Sequence, residues 1–227
     1  MGPGQPARRL PKEAELKLEE LVKPRKPDLF EGDLSDERLS HYLAKDVVAV
    51  DTETRGLNVH RDRLCLVQLC DGAGVVSLVR YRLKPAPNVK RLMEEPRVLK
   101  LFHFARFDLA VLKHYLEADV NPVWCTKIAS KLVRTYTDRH SLKDLGRELL
   151  GLEMDKSDQT SDWAREELTA SQLEYAANDV RVLIPIYNQL KSVAEREGRL
   201  SLAQKLFGFL PALTELDLAG WRDIFEH

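Results

Sequence analysis

The chain has 227 residues, a formal net charge of −1, and hydrophobic and charged fractions of 44% and 31%. That length predicts one good-sized core with appendages, and no apolar run approaches the roughly 18 residues that a helical membrane span requires. The near-neutral charge excludes the broad basic excess of proteins that neutralise many phosphates at once, and three cysteines without a C-x-x-C spacing (Cys65, Cys70 and Cys125) exclude a disulfide framework or a structural zinc site.

Residues 1–27 read as a mobile arm rich in proline, lysine and arginine, with an amphipathic helix expected over 12–22 and ended by Pro24 and Pro27. The polar start lacks the apolar core of a secretion signal, so the expected compartment is the cytoplasm. From residue 28 to 227 a single domain is expected. It begins with an edge strand over 28–34 and a helix that Ser35 caps, running to about Leu43. The apolar run Val47-Val48-Ala49-Val50 reads as a strand buried on both faces. Strands at 63–70 and 75–79 follow it with short connections, which predicts an antiparallel meander, because a parallel pair needs a longer crossover. Then come a helix at 88–95, a strand at 98–104, a helix at 107–118, a short strand at 122–126 and a helix to about 136. Beyond that point only helices are expected. Ser141 caps one that Gly151 ends, Thr169 caps a long one reaching about 196, and the tail from 200 is helical with a break at Pro211. The fold class is α/β, with a mixed sheet of about five strands and helices on both faces.

The chemistry gathers at three acidic places. Asp51 and Glu53 end the buried strand, and residues two apart in a strand project from one face, so both carboxylates aim at one point. Such a pair repels unless it is protonated, matched by a base or bound to a metal. Asp108 stands where a strand passes into the first turn of a helix, a position that the helix dipole alone would favour. Tyr175 and Asp179 lie four residues apart on one face of the long helix. Each element taken singly has a plain structural reading. Two basic clusters, Lys131, Arg134, Arg139 and Lys143 against Asp138, and Arg80, Arg82, Lys84, Lys90 and Arg91, would each hold a few phosphates or simply form a solvated face.

In order, Asp-x-Glu, His-x-x-x-x-Asp and Tyr-x-x-x-Asp resemble the three motifs of the ribonuclease D-like 3′-5′ exonucleases, which carry four acidic residues and a tyrosine. The stretches Cys125-Thr126-Lys127-Ile128-Ala129-Ser130, Thr135 to Leu145, Ser161-Asp162-Trp163 and Phe209 to Trp221 look like the short bacterial nano-RNase C group, and the resemblance covers about residues 28–227. Phe104 stands where ribonuclease D usually has Asn and Cys125 where it usually has Asp, and both departures match the short group. Ribonuclease D carries helical domains after its nuclease domain, and this chain is expected to lack them. The resemblance implies a ribonuclease H-like exonuclease domain and two Mg²⁺ ions, with Mn²⁺ as a substitute. It makes Asp51, Glu53, Asp108 and Asp179 the metal ligands, Asp51 bridging both ions and Asp108 acting partly through water, with Tyr175 orienting the attacking water. Oxygen donors suit Mg²⁺, and a pair of ions about 4 Å apart suits phosphodiester hydrolysis.

Further candidates for holding substrate are Thr52, whose backbone would meet a terminal 3′-hydroxyl, and Leu57 and Phe104, which would pack against bases. His103 is placed for a phosphate, and Arg134, Arg139 and His140 for a 5′ phosphate. The expected function is a metal-dependent exoribonuclease for very short RNA, especially dinucleotides. The alternative is a broader 3′-5′ exonuclease acting on longer RNA or single-stranded DNA. The low net charge favours the first. A binding module without turnover would be expected to lack an acid or the tyrosine, and a domain that uses metal only for structure leaves Tyr175 unexplained. The similar short proteins imply a homo-oligomer, a ring of eight, with the apolar tail from 200 to 221 as its interface and no membrane partner.

Overall fold

The computed structural model describes residues 25–154, 160–221 and 224, so the helix expected over 12–22 lies outside the described residues. Strand β1 (Asp28–Glu31) is shorter than expected because Gly32 turns the chain with φ +83°. Helix α1 (Asp36–Leu43) starts as the sequence predicts, with the Ser35 hydroxyl accepting the Arg38 N–H. Strands β2 (Val47–Thr54), β3 (Leu64–Cys70) and β4 (Val76–Arg80) form the expected antiparallel meander. Helix α2 (Pro87–Glu94) leads to β5 (Leu99–Phe102), helix α3 (Ala105–Leu116) to β6 (Val123–Cys125), and helix α4 (Thr126–Val133) follows directly.

Among the described residues the sheet has six strands in the order β1-β4-β3-β2-β5-β6, one more than the count of about five. β1 pairs parallel to β4, and β5 and β6 extend the other side in parallel. β2 is therefore central, which explains a run such as Val48-Ala49-Val50 with no exposure at all. Its two faces go to different cores. Val48 and Val50 join Val67, Leu69 and Val79 in the larger one, while Ala49 joins Leu66, Cys70 and Leu78 in the smaller. All three cysteines are buried and free.

Three expectations for the helical half need correction. The helix capped by Ser141 is α-helical only over α5 (Leu142–Leu145) and then widens into a π turn, Gly146–Leu150, before Gly151 ends it at φ +69°. The long helix from Thr169 is two helices, α6 (Ala170–Arg181) and α7 (Leu183–Arg196). Pro185 accounts for the break, since it has no N–H to give the Arg181 carbonyl and its ring crowds that carbonyl. The tail is one helix, α8 (Leu200–Leu218), which continues through Pro211. Burial of Ala203, Phe207, Leu210 and Thr214 along one side offsets the proline, which costs about 3 kcal/mol in a helix interior. Among the described residues no helix is long and apolar enough to cross a membrane.

Candidate active site

The alternation of β2 sorts its polar end. Asp51 and Glu53 leave the sheet on the face that carries Ala49, where Ala176, Ala177 and Val180 of α6 pack. Thr52 leaves on the opposite face. Helix α6 starts firmly, because Thr169 and Gln172 form a reciprocal capping box. One side of α6 buries alanines against the sheet, and small residues there let the helix axis come close. Asp179 thereby arrives beside the strand end, and oxygens of Asp51, Glu53 and Asp179 all lie within 4.8 Å of one another. Tyr175, one turn earlier, hydrogen-bonds Asp179, and its ring lies 6.0 Å from that of Trp163.

Asp108 is not in that trio. It is buried at the start of α3 on the other side of the strand end, and the Thr52 hydroxyl donates to its Oδ1 at 2.7 Å. The sequence pattern predicts four converging carboxylates, and the structure brings three together with the fourth one side chain behind. The side chain of Thr52 is thus occupied in fixing Asp108.

Protein atoms surround these acids even where some contact with solvent remains, and burial is the main reason that their charged forms are disfavoured. Asp51 is held well above the usual carboxylate range by burial first and then by the charges of Asp108, Glu53 and Asp179. Glu53 is raised by burial, then by Asp179 and Asp108. Asp108 is pushed up to about 7 by burial, against the hydrogen bond from Thr52. Burial, followed by Asp179 and Glu53, also raises the Tyr175 phenol. Hard oxygen donors crowded to the point of repulsion are the donor set that a divalent cation satisfies.

The acids open into a cleft of about 770 Å³. Leu57 and His103 line it as well, with Leu57 85% exposed and His103 Nδ1 paired with Thr126 Oγ1 at 2.9 Å. Phe104 lies outside the lining, though next to it. Its φ of +68° is rare for a bulky residue, and Lys127 Nζ sits 4.3 Å from its ring centroid. Arg134, Arg139 and His140 are not brought to the cleft. Arg134 is buried, donating to Glu148, to Ser130 Oγ and to the Arg139 carbonyl. His140 Nδ1 pairs with Ser130 Oγ at 2.8 Å. Arg134 and His140 brace the segment after α4, which takes up donors of the Arg134 guanidinium, while Arg139 contributes its backbone carbonyl and its side chain stays exposed away from the cleft. The cluster from Arg80 to Arg91 is likewise dispersed: Arg80 donates to the carbonyls of Arg165 and Glu166, Arg82 to Glu31 and Lys90 to the Glu117 carbonyl.

Among the described residues, the lysines and arginines that line the cleft are Arg55, Lys127 and Lys143. In the sequence Lys143 stands out only in a basic cluster and within the Thr135 to Leu145 stretch, Lys127 only in a quoted stretch, and Arg55 not at all. No periodicity marks such residues, because they come from three loops and helix starts that only the fold brings together.

Residues 31–195 match the model of a family described as 3′-5′ exonuclease. The chain belongs to the ribonuclease D-like 3′-5′ exonucleases. Ribonuclease D of Granulibacter bethesdensis is 33% identical over 156 residues, which are 68% of this chain and 39% of that relative, so the chain spans well under half the length of such curated relatives. Solved structures of Brucella melitensis NrnC match more fully. One with bound Mg²⁺ is 47% identical with a TM-score of 0.84, covering 89% of this chain and 100% of that one. One bound to pGG is 48% identical, also with a TM-score of 0.84, covering 89% and 98%. The mixed sheet and its flanking helices are those of the ribonuclease H-like exonuclease domain.

Proposed function

We propose that the protein is a Mg²⁺-dependent 3′-5′ exoribonuclease that hydrolyses very short RNA, dinucleotides above all, to mononucleotides. The observation that carries this reading is the trio of carboxylates within 4.8 Å of one another in a cleft that also presents Arg55, Lys127 and Lys143. Oxygens that ligate one Mg²⁺ at about 2.1 Å lie at most about 4 Å apart, a spacing close to that of the trio. The cleft volume is in the range of small-ligand pockets, which suits a dinucleotide better than a long strand. The solved NrnC complexes with Mg²⁺ and with pGG lend support from a protein of almost half-identical sequence.

In this reading Asp51, Glu53 and Asp179 would hold one ion, and Asp51 and Asp108 would help to hold a second. Bound ions would supply Lewis-acid stabilisation of the phosphate and a water of lowered pKa. The residues do the rest. In the metal-free protein burial and three nearby acids raise the Tyr175 phenol, so its hydroxyl is assigned orientation of the attacking water first and proton transfer second. Thr52 presents backbone to the terminal 3′-hydroxyl, Leu57 packs on a base, and His103, Lys127 and Lys143 hold phosphate oxygens. Phe104, with Lys127 over its ring, offers a further apolar face at the rim. The exposed stripe of Leu202, Leu206 and Phe209 on α8 supports assembly into a homo-oligomer, and the cytoplasm is the proposed compartment.

The matches to proteins named ribonuclease D favour a second reading, a broader exonuclease for longer RNA or single-stranded DNA. The metal reading is tested by Asp51→Asn and Asp179→Asn. Each removes a charge at nearly constant volume. Turnover should vanish, while the metal-free variants should melt no lower than the parent, since a repelling carboxylate has gone. Near-normal activity of either variant in Mg²⁺ would show that the ions sit elsewhere.

A further inference from the structure

Strand β3 reads Leu64-Cys65-Leu66-Val67-Gln68-Leu69-Cys70 and is buried throughout, with Gln68 as its one amide. Gln68 has no solvent exposure, and neither Nε2 nor Oε1 has a hydrogen-bond partner among the described residues. A primary amide brings two donor hydrogens and two acceptor lone pairs. Leaving all of them unpaired in a closed interior costs stability that an apolar side chain of the same length would not.

The register says what lies next to it. Gln68 is the direct cross-strand partner of Asp51 in the β2–β3 pair. The two side chains therefore leave the sheet on the same face, with Cβ atoms about 4.5–5.5 Å apart. On the other side Gln68 pairs with Leu78 of β4. Above them pack Ala176, Ala177 and Val180 of α6, the helix that delivers Tyr175 and Asp179. The one unsatisfied amide of the strand thus adjoins the carboxylate with three acidic neighbours, inside the wedge between sheet and α6.

We propose that Gln68 is a positioning residue for the metal site, donating its amide N–H to the Asp51 carboxylate when that group holds a cation. The inference rests on the reading of the acids as metal ligands and deepens it. A carboxylate on a cation keeps lone pairs that outer donors satisfy, and such donors fix its orientation. The amide has no partner among the described residues, and the carboxylate opposite it in the strand register is the acceptor that the pairing offers. A buried water bound to the amide is the plainer account. It requires that removing the amide leave metal binding unchanged.

Gln68→Met keeps the length of the side chain and removes the amide. Both proteins would be stripped of metal, melted, and titrated with MgCl₂ in a calorimeter, and kcat and KM would then be measured on a 5′-labelled diribonucleotide. The proposal expects a metal-free Tm equal to or above the parent's, Mg²⁺ affinity weaker by about tenfold or more, and a lowered kcat with KM little changed. Gln68→Leu repeats the comparison should the Met variant not fold. Unaltered Mg²⁺ affinity in a folded variant, whatever its Tm, overturns the role of Gln68 alone. A parent protein that takes up no Mg²⁺ overturns the reading of the acids and this proposal with it.

Discussion

Tyr175 and Asp179 stand one turn apart on α6 and share a hydrogen bond, so the two can be separated by removing a single oxygen. Tyr175→Phe keeps the ring packed near Trp163 and leaves Asp179 free to ligate. If the hydroxyl orients the attacking water, kcat should fall by about 10²-fold with KM nearly unchanged, as for an interaction made chiefly in the transition state. An unchanged kcat at saturating metal would reduce the phenol to packing. The neighbouring acids set a pH dependence. In the metal-free protein Asp51 and Glu53 are raised and Asp108 titrates near 7, against a usual value of 3.8 for Asp108. The folded state then binds more protons than the unfolded state between about pH 4 and 7, so metal-free stability is greatest on the acid side of that window and falls as pH rises through it. A cation reverses the preference, since its ligands must be ionised, and apparent Mg²⁺ affinity should rise with pH through about 7. Melts from pH 5 to 8, with and without saturating Mg²⁺, check this: Tm should decline without the metal, and Mg²⁺ should remove most of the decline. Parallel curves would contradict it.

Much of each element is legible in local residue types. β2, the meander, the Ser35 cap and the Thr169 cap all follow from apolar runs and capping side chains. The misreadings have physical causes of two kinds. Pro185 ends a helix one turn before its own position, because the carbonyl it fails to satisfy belongs to Arg181, whereas Pro211 is tolerated because packing pays for it. Neither outcome can be read from proline alone. The acids and Tyr175 were legible because each sits at a strand end, a helix start or a fixed helical spacing. The division of Asp108 from the trio was not, because it depends on which side of β2 Thr52 faces and on α3 lying there. Arg134 drew notice as a cation in a basic cluster, yet burial against Glu148 gives it a bracing task that composition does not reveal. At the turn after β2, Gly56 is required by proximity, since a Cβ there would run into the Asp62 carboxylate, which accepts the Asn58 N–H at 2.9 Å. Gly56→Ala should therefore shift the loop that carries Arg55 and Leu57. We expect KM to rise several-fold while Mg²⁺ affinity stays constant; an unaltered KM would mean that this loop does not touch substrate.

For the whole molecule the deciding quantity is how much nucleic acid it holds. The net charge is −1, and within the two basic clusters Arg80, Arg82, Lys90 and Arg134 are each engaged with other parts of the protein. Arg55, Lys127 and Lys143 gather at one cleft beside the acids. If binding is confined to that cleft, added nucleotides should bring little gain, because phosphates beyond it would release few counterions. The most direct measurement is the initial rate on 5′-labelled RNAs of two to about ten nucleotides, at equal concentration, with and without Mg²⁺. The account predicts no turnover without the ion and, with it, the fastest cleavage of the dinucleotide and a steep fall with length. Rates that hold or climb toward ten nucleotides, or that persist in EDTA, would contradict it.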